Sequence, residues 1–173
     1  ISFNVKQFND PAYNKSDISI QLEENAQSIV TQLAESIWVL KNNHIVFTQL
    51  ADRYKVWLIR ILANYPHIKY NYSEVILNDR ELSSAKILDI YMILKECANN
   101  SLKHSDCTEI NIDFFCDQGW SIKIEDNGKG FLSANAKNID LEHKGNGISN
   151  INKRANKYNW QVQWNEVRPH GTI

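Results

Sequence analysis

The sequence predicts an α+β fold, a two-layer sandwich in which a mixed, mostly antiparallel sheet carries its helices on one face, preceded by one or two further helices. Three observations predict it. Apolar residues recur at intervals of three and four in the long segments, and they alternate with polar residues in the short ones. The elements also run in the order of two helices followed by β-α-β-β-loop-α-β-β, for which an antiparallel-rich sheet with one covered face is the natural solution. At 173 residues and 43% hydrophobic, the chain can bury one good core with an appended element.

Residues 1 to 20 are polar and mixed, with Asp10-Pro11 as a breaker. In "ENAQSIVTQLAESIWVLKNN" the residues Ala26, Ile29, Leu33, Ile37 and Leu40 form one apolar stripe close to a heptad seam, and Asn42-Asn43 ends the helix. "FTQLADRYKVWLIRIL" repeats the pattern through Phe47, Leu50, Tyr54, Trp57 and Ile61, with Pro66 as its stop. "IKYNYSEVIL" alternates as a strand at Ile68, Tyr70 and Tyr72. A third helix over 83–104 turns Ile87, Ile90, Leu94, Ala98 and Leu102 inward. Two alternating runs follow, "TEINIDFF" and "GWSIKIED", joined by a short polar turn. Leu132 to Lys144 shows almost no periodicity. "GNGISNINKRANKY" reads as a glycine-led helix, "WQVQWNEV" as a strand and "GTI" as the start of a last one. The one plausible domain boundary lies near residue 42.

Composition excludes several classes of function. Charged residues make up 23% and the net charge is -1, so no global field recruits nucleic acid or an anionic membrane. Cys97, Cys107 and Cys116 are odd in number and form no C-x-x-C pair, as expected of free thiols in a reducing compartment. His44, His67, His104, His143 and His170 have neither helical pair spacing nor cysteine partners, which argues against zinc. No run reaches the length of a membrane span. The chain begins at Ile1 rather than Met, so it reads as part of a longer polypeptide.

Two polar constellations stand out. Glu96, Asn100, Lys103 and His104 share one arc of the third helix, away from its apolar stripe. A solvated helix face gives such a pattern, and so does a polar site; the adjacent Asn99 and Asn100 near a helix end call for a reason, because Asn is a poor helix-interior residue. The second constellation is "DNGKG", Asp126 to Gly130, which closes an alternating run. Asn-Gly in that place signals a hairpin turn. The same five residues also suit a carboxylate presented over a glycine-lined approach.

Taken in order, Glu96-x-x-x-Asn100-x-x-Lys103-His104, then Asp126-x-Gly128-x-Gly130, then Gly145-x-Gly147, with Gly171-Thr172 at the end, the chain from about 68 to 173 resembles the ATP-binding domain shared by sensor histidine kinases, DNA gyrase, the Hsp90 chaperones and MutL. The resemblance implies ATP and Mg²⁺ as ligands and favours the second reading of "DNGKG". Asp126 would accept from the exocyclic amine of adenine, where guanine offers an acceptor oxygen instead. Gly128 and Gly130 would let the backbone approach the base, and Thr172 would stand beside it. Asn100 would give Mg²⁺ one amide oxygen, enough for an ion that keeps waters and phosphate oxygens. Lys103 would supply a point charge and His104 a phosphate or ribose contact. Gly145 and Gly147 would present backbone N–H groups to phosphate at a helix N-terminus. Leu132 to Lys144 would form a short ATP lid, and Arg154 would be structural.

The upstream helices extend the resemblance to sensor kinases with short lids, similar to nitrate sensors. They imply two parts, a remnant of the dimerisation and phosphoacceptor region over 1–42 and a catalytic domain over 43–173. No histidine in the chain precedes an acidic residue as the acceptor of that subfamily does, so the resemblance places the acceptor upstream of Ile1. It implies an ATP-dependent protein histidine kinase, inactive alone in this fragment, with Glu96 orienting or polarising rather than acting as a base. The implied partners are a second copy of the chain and a response-regulator receiver domain. The implied location is cytoplasmic, with any membrane contact made through other parts of the parent. A nucleotide-binding module without catalysis, and a hydrolase or serine kinase of the same superfamily, are the alternatives.

Overall fold

The computed structural model describes residues 44–130 and 147–165, together with Ala26, Val30, Leu33, Ala34 and Ile37. The chain divides into two compact units, Ile1–Lys41 and Asn42–Ile173. In the first unit the five described residues are helical and exposed. Val30, Leu33 and Ile37 keep 58%, 57% and 51% of their surface in water. Ile29 and Leu40 of the expected stripe lie outside the described residues.

In the second unit the elements are β1 (His44–Val46), α1 (Phe47–Leu62), β2 (Lys69–Ile76), β3 (Glu81–Ser83), α2 (Ser84–His104), β4 (Glu109–Cys116), β5 (Trp120–Asp126) and α3 (Gly147–Asn156). The main sheet has the order β2-β4-β5, with β2 parallel and β5 antiparallel to β4. β1 and β3 form a small antiparallel pair of their own. The architecture is thus α+β with a mixed sheet. The β1–β3 pair went unread in the sequence, since three residues are too few to show an alternation.

The strand β4 sets the layer. Ile110, Ile112, Phe114 and Cys116 are buried, while Asn111, Asp113 and Phe115 face the other side. Phe114 is the hub of the inner face, with ring centroids 5.8 Å from Phe47, 5.8 Å from Tyr54 and 5.6 Å from Tyr72. Such aromatic packing stabilises beyond area alone. Two phenols beside this cluster find backbone acceptors. Tyr54 Oη donates to the Leu94 carbonyl at 3.3 Å, and Tyr72 Oη to the Ala51 carbonyl at 2.7 Å. Burial holds both hydroxyls well above their ordinary pKa, so both remain donors at any working pH.

α1 starts where Asp79 Oδ1 accepts from Thr48 N at 3.1 Å and Gln49 Oε1 accepts from Val46 N at 3.3 Å. It buries Leu58 and Leu62 rather than Ile61, and ends at Leu62, ahead of Pro66. α2 buries all five residues its periodicity marked, and three others besides, Asp89, Tyr91 and Ser101. Between Gln161 and Asn165 the chain forms no strand, contrary to the alternation of "WQVQW". Trp160 instead packs 4.4 Å from Tyr158 and 5.4 Å edge-on from Trp120 of β5, so the aromatics of this segment anchor α3 to the sheet.

The helix α3 is also tied to α2. Asp89, 6% exposed, accepts from Lys157 Nζ and Tyr158 Oη at 3.0 Å each, and from Arg154 Nη1. Burial works against the Asp89 carboxylate, but the hydrogen bonds from Lys157, Tyr158 and Arg154 outweigh it and hold the group below its ordinary value of 3.8. A carboxylate lowered in the folded state stabilises above its unfolded pKa, and that contribution is lost as pH falls through the native value. Wild-type and Asp89→Asn proteins should therefore differ in unfolding free energy by a constant amount at neutral pH. The difference should shrink as urea titrations are taken below pH ~4. A gap that stays constant down to pH 2 would contradict the assignment.

Candidate functional site

The strand β5 ends on Asp126, paired in register with Ile110 of β4. The side chain is 3% exposed, and its two oxygens are held by neutral donors. Ser101 Oγ donates to Oδ2 at 2.8 Å and Gly128 N to Oδ1 at 2.9 Å. An ionised carboxylate out of water needs such bonds, and it retains lone pairs for a further donor.

Residues 127–130, after Asp126, bend back onto the loop between α2 and β4. Asn127 is drawn back to the start of β4, where its Oδ1 accepts from Thr108 N and Glu109 N at 2.9 Å each and its Nδ2 donates to Thr108 Oγ1 at 2.9 Å. Lys129 N donates to the Ser105 carbonyl at 2.8 Å, and Lys129 Nζ pairs with Asp106 at 2.9 Å. "DNGKG" is thus stapled onto the α2–β4 loop, and the strong turn signal of Asn-Gly reflects a side-chain clamp.

The glycines also meet constraints set by the protein itself. A Cβ at Gly128 would lie 2.3 Å from the Ser105 carbonyl oxygen and 2.6 Å from its Cβ, so the position is closed by the protein itself. Gly130 has φ of 77°, a left-handed conformation that side chains resist. At the far side, a Cβ at Gly147 would lie 2.1 Å from Glu96 Oε1. The Glu96 carboxylate therefore sits against the first residue of α3, where the helix dipole favours negative charge.

Of the residues expected to act together, Glu96, Asn100, Lys103 and His104 all lie on α2. Glu96 and Asn100 are half-buried, Lys103 and His104 exposed in its last turn. Glu96 meets Gly147. Asp126 meets α2 at Ser101, and Gly128 meets Ser105, the residue that caps its end. Gly145, Thr172 and the stretch Leu132 to Lys144 lie outside the described residues. Cys97, beside Glu96, has its thiol pushed up to about 12, chiefly by burial and then by the Glu96 charge, so it stays protonated.

The geometry suits a nucleotide in two respects. A buried carboxylate flanked by neutral donors is built to receive a donor such as an exocyclic amine. The Gly147 end of α3 offers N–H groups, and the last turn of α2 the Lys103 cation, for phosphates. Among the described residues no three His, Cys, Asp or Glu gather as a metal cage. Also among the described residues, no helix is long and apolar enough to cross a membrane.

The fold is one that histidine kinase catalytic domains share. The chain superposes on the Acinetobacter baumannii histidine kinase AdeS with a TM-score of 0.64, at 14% identity over 97% of this chain and 87% of that one. The histidine kinase domain of the Erythrobacter litoralis blue-light activated kinase EL346 gives 0.57 at 14% identity, over 93% and 85% of the two chains. The ATP binding domain of PrrB from Mycobacterium tuberculosis gives 0.55 at 17% identity, over 76% and 93%. Neither a protein-family model nor a curated protein sequence matches the chain.

Ser101 was missed by sequence reasoning, because one serine among "NNSLKHS" carries no signal until β5 is placed beside it. Replacing it by alanine takes one of the two hydrogen bonds from a buried carboxylate. Ser101→Ala should lose about 1–3 kcal/mol of unfolding free energy, measured by urea denaturation at pH 7. Unchanged stability would mean that the Ser101–Asp126 bond carries no weight.

Proposed function

We propose that the chain is the ATP-binding catalytic part of a sensor histidine kinase. It would transfer the γ-phosphoryl group of ATP to a histidine outside this chain, for relay to a response-regulator aspartate. The observation that carries the reading is the buried Asp126 carboxylate, held by Ser101 and Gly128 at the end of β5, on a fold that histidine kinases share. Asp126 accepts from the adenine amine. Asn100 gives Mg²⁺ an amide oxygen, Lys103 supplies a point charge, and His104 contacts phosphate or ribose. Glu96 orients the reacting group.

Phosphoryl transfer of this kind depends on positioning and charge neutralisation, which matches a site with cations, amides and a helix N-terminus around it. The exposed Val30, Leu33 and Ile37, at helical spacing, support a dimer formed through the first unit, with a receiver domain as the second partner. The short-lid, nitrate-sensor-like subfamily and a cytoplasmic location complete the proposal. Isothermal titration of ATP and GTP, each with and without magnesium, tests it. ATP should bind, magnesium should strengthen the binding, and GTP should bind at least tenfold more weakly, by about the cost of an unpaired buried polar group. Asp126→Asn should abolish the preference. Failure of the wild-type chain to bind either nucleotide would sink the kinase reading and leave a structural module.

A further inference from the structure

The helix α3 touches α2 at two levels, and the function proposed above uses only one. At the first, Gly147 meets Glu96. At the second, Arg154, Lys157 and Tyr158 converge on Asp89. Glu96 is seven residues after Asp89, and Gly147 is seven residues before Arg154. Seven residues advance a helix by about 10.5 Å and nearly two turns. The two helices are therefore antiparallel and in register, with a close approach at the Gly147 level and three hydrogen bonds at the Asp89 level.

The apolar contact between them does not fix that register. Ile151 and Ala155 are the buried residues of α3, and the burial of such side chains is non-directional. The bonds to Asp89 are directional and charge-assisted. Slippage by one turn would carry the start of α3 by about 5.4 Å along α2. The Asp89 end thus decides where the Gly147 end stands.

We propose that Asp89 is a positioning residue, which by holding Arg154, Lys157 and Tyr158 sets the register of α3 on α2 and so places the first turn of α3 beside Glu96 to receive the phosphates of a nucleotide. The inference rests on the nucleotide reading, and it separates phosphate placement from base recognition. Adenosine needs only the Asp126 end. Mg-ATP needs both.

The test compares wild type, Asp89→Asn and Arg154→Gln, each first shown to be folded by circular dichroism. Affinities for adenosine and for Mg-ATP are measured by NMR titration, and amide exchange at residues 147–151 is followed without nucleotide. In Asp89→Asn, adenosine affinity should be unchanged, Mg-ATP affinity about tenfold weaker, the scale of one charge-assisted contact, and exchange at 147–151 faster. Arg154→Gln leaves Asp89 with two donors and should move both readouts the same way by less; it carries the test if Asp89→Asn does not fold. An ATP-to-adenosine ratio equal to that of wild type overturns the proposal, whatever the exchange does, because a merely structural Asp89 would alter stability alone. Wild type that binds neither ligand defeats the nucleotide reading instead, and unchanged exchange at 147–151 would then defeat the register claim separately.

Discussion

Taking the Asp126 carboxylate to 3% exposure costs free energy that the fold must offset, and the way it does so organises the second unit. One bond comes from Ser101, which requires the last turns of α2 to lie against the end of β5. The other comes from Gly128, which requires the chain to turn back at once and press its backbone onto Ser105. Asn127, between them, closes the loop onto Thr108 and Glu109. The three segments around Asp126 are therefore mutually dependent, and loosening the Ser101 or the Gly128 contact would take one of two hydrogen bonds from a buried carboxylate.

Helix α2 is the element on which this arrangement converges. Its apolar stripe seats it in the core, and its remaining positions are shared among distinct tasks. Asp89 holds Arg154 of α3, Glu96 meets the start of α3, and Ser101, with Ser105 at the helix cap, holds the loop after β5. Asn100 stands beside Ser101 in sequence and about 100° away around the helix. One turn of α2 thus supports the buried carboxylate on one side and leaves an amide free to face another way.

The sequence made the periodic parts of the fold legible. α2 buries the five apolar residues its spacing marked, and β4 and β5 fall where alternation put them. Short or non-periodic features were hidden. β1 and β3 span three residues each, and their pairing depends on partners 37 residues apart, as in Ile45 against Leu82. "WQVQW" alternates like a strand, yet its tryptophan at 160 is taken by Tyr158 and Trp120. At the site, the spacing of Glu96, Asn100 and Asp126 was visible because each belongs to a motif. Ser101 and Asp89 were not, since their partners are 25 and 65 residues away along the chain. Gly128 was legible as a required glycine, but the proximity of Ser105, which also requires it, was not.

With a net charge of -1, the chain has no general attraction for a polyanion, so any affinity for one must be local. The local arrangement is uneven. Glu96 brings negative charge to the very helix end that would otherwise be most favourable to phosphate, while Lys103 and His104 stand exposed two turns further on. A phosphate chain entering there must either displace the Glu96 carboxylate from α3 or share that end with it through a cation. The second route matches an ion that prefers oxygen ligands and binds phosphates at the same time. On the nucleotide reading, a magnesium ion held there would do more than neutralise the triphosphate: it would reconcile it with Glu96.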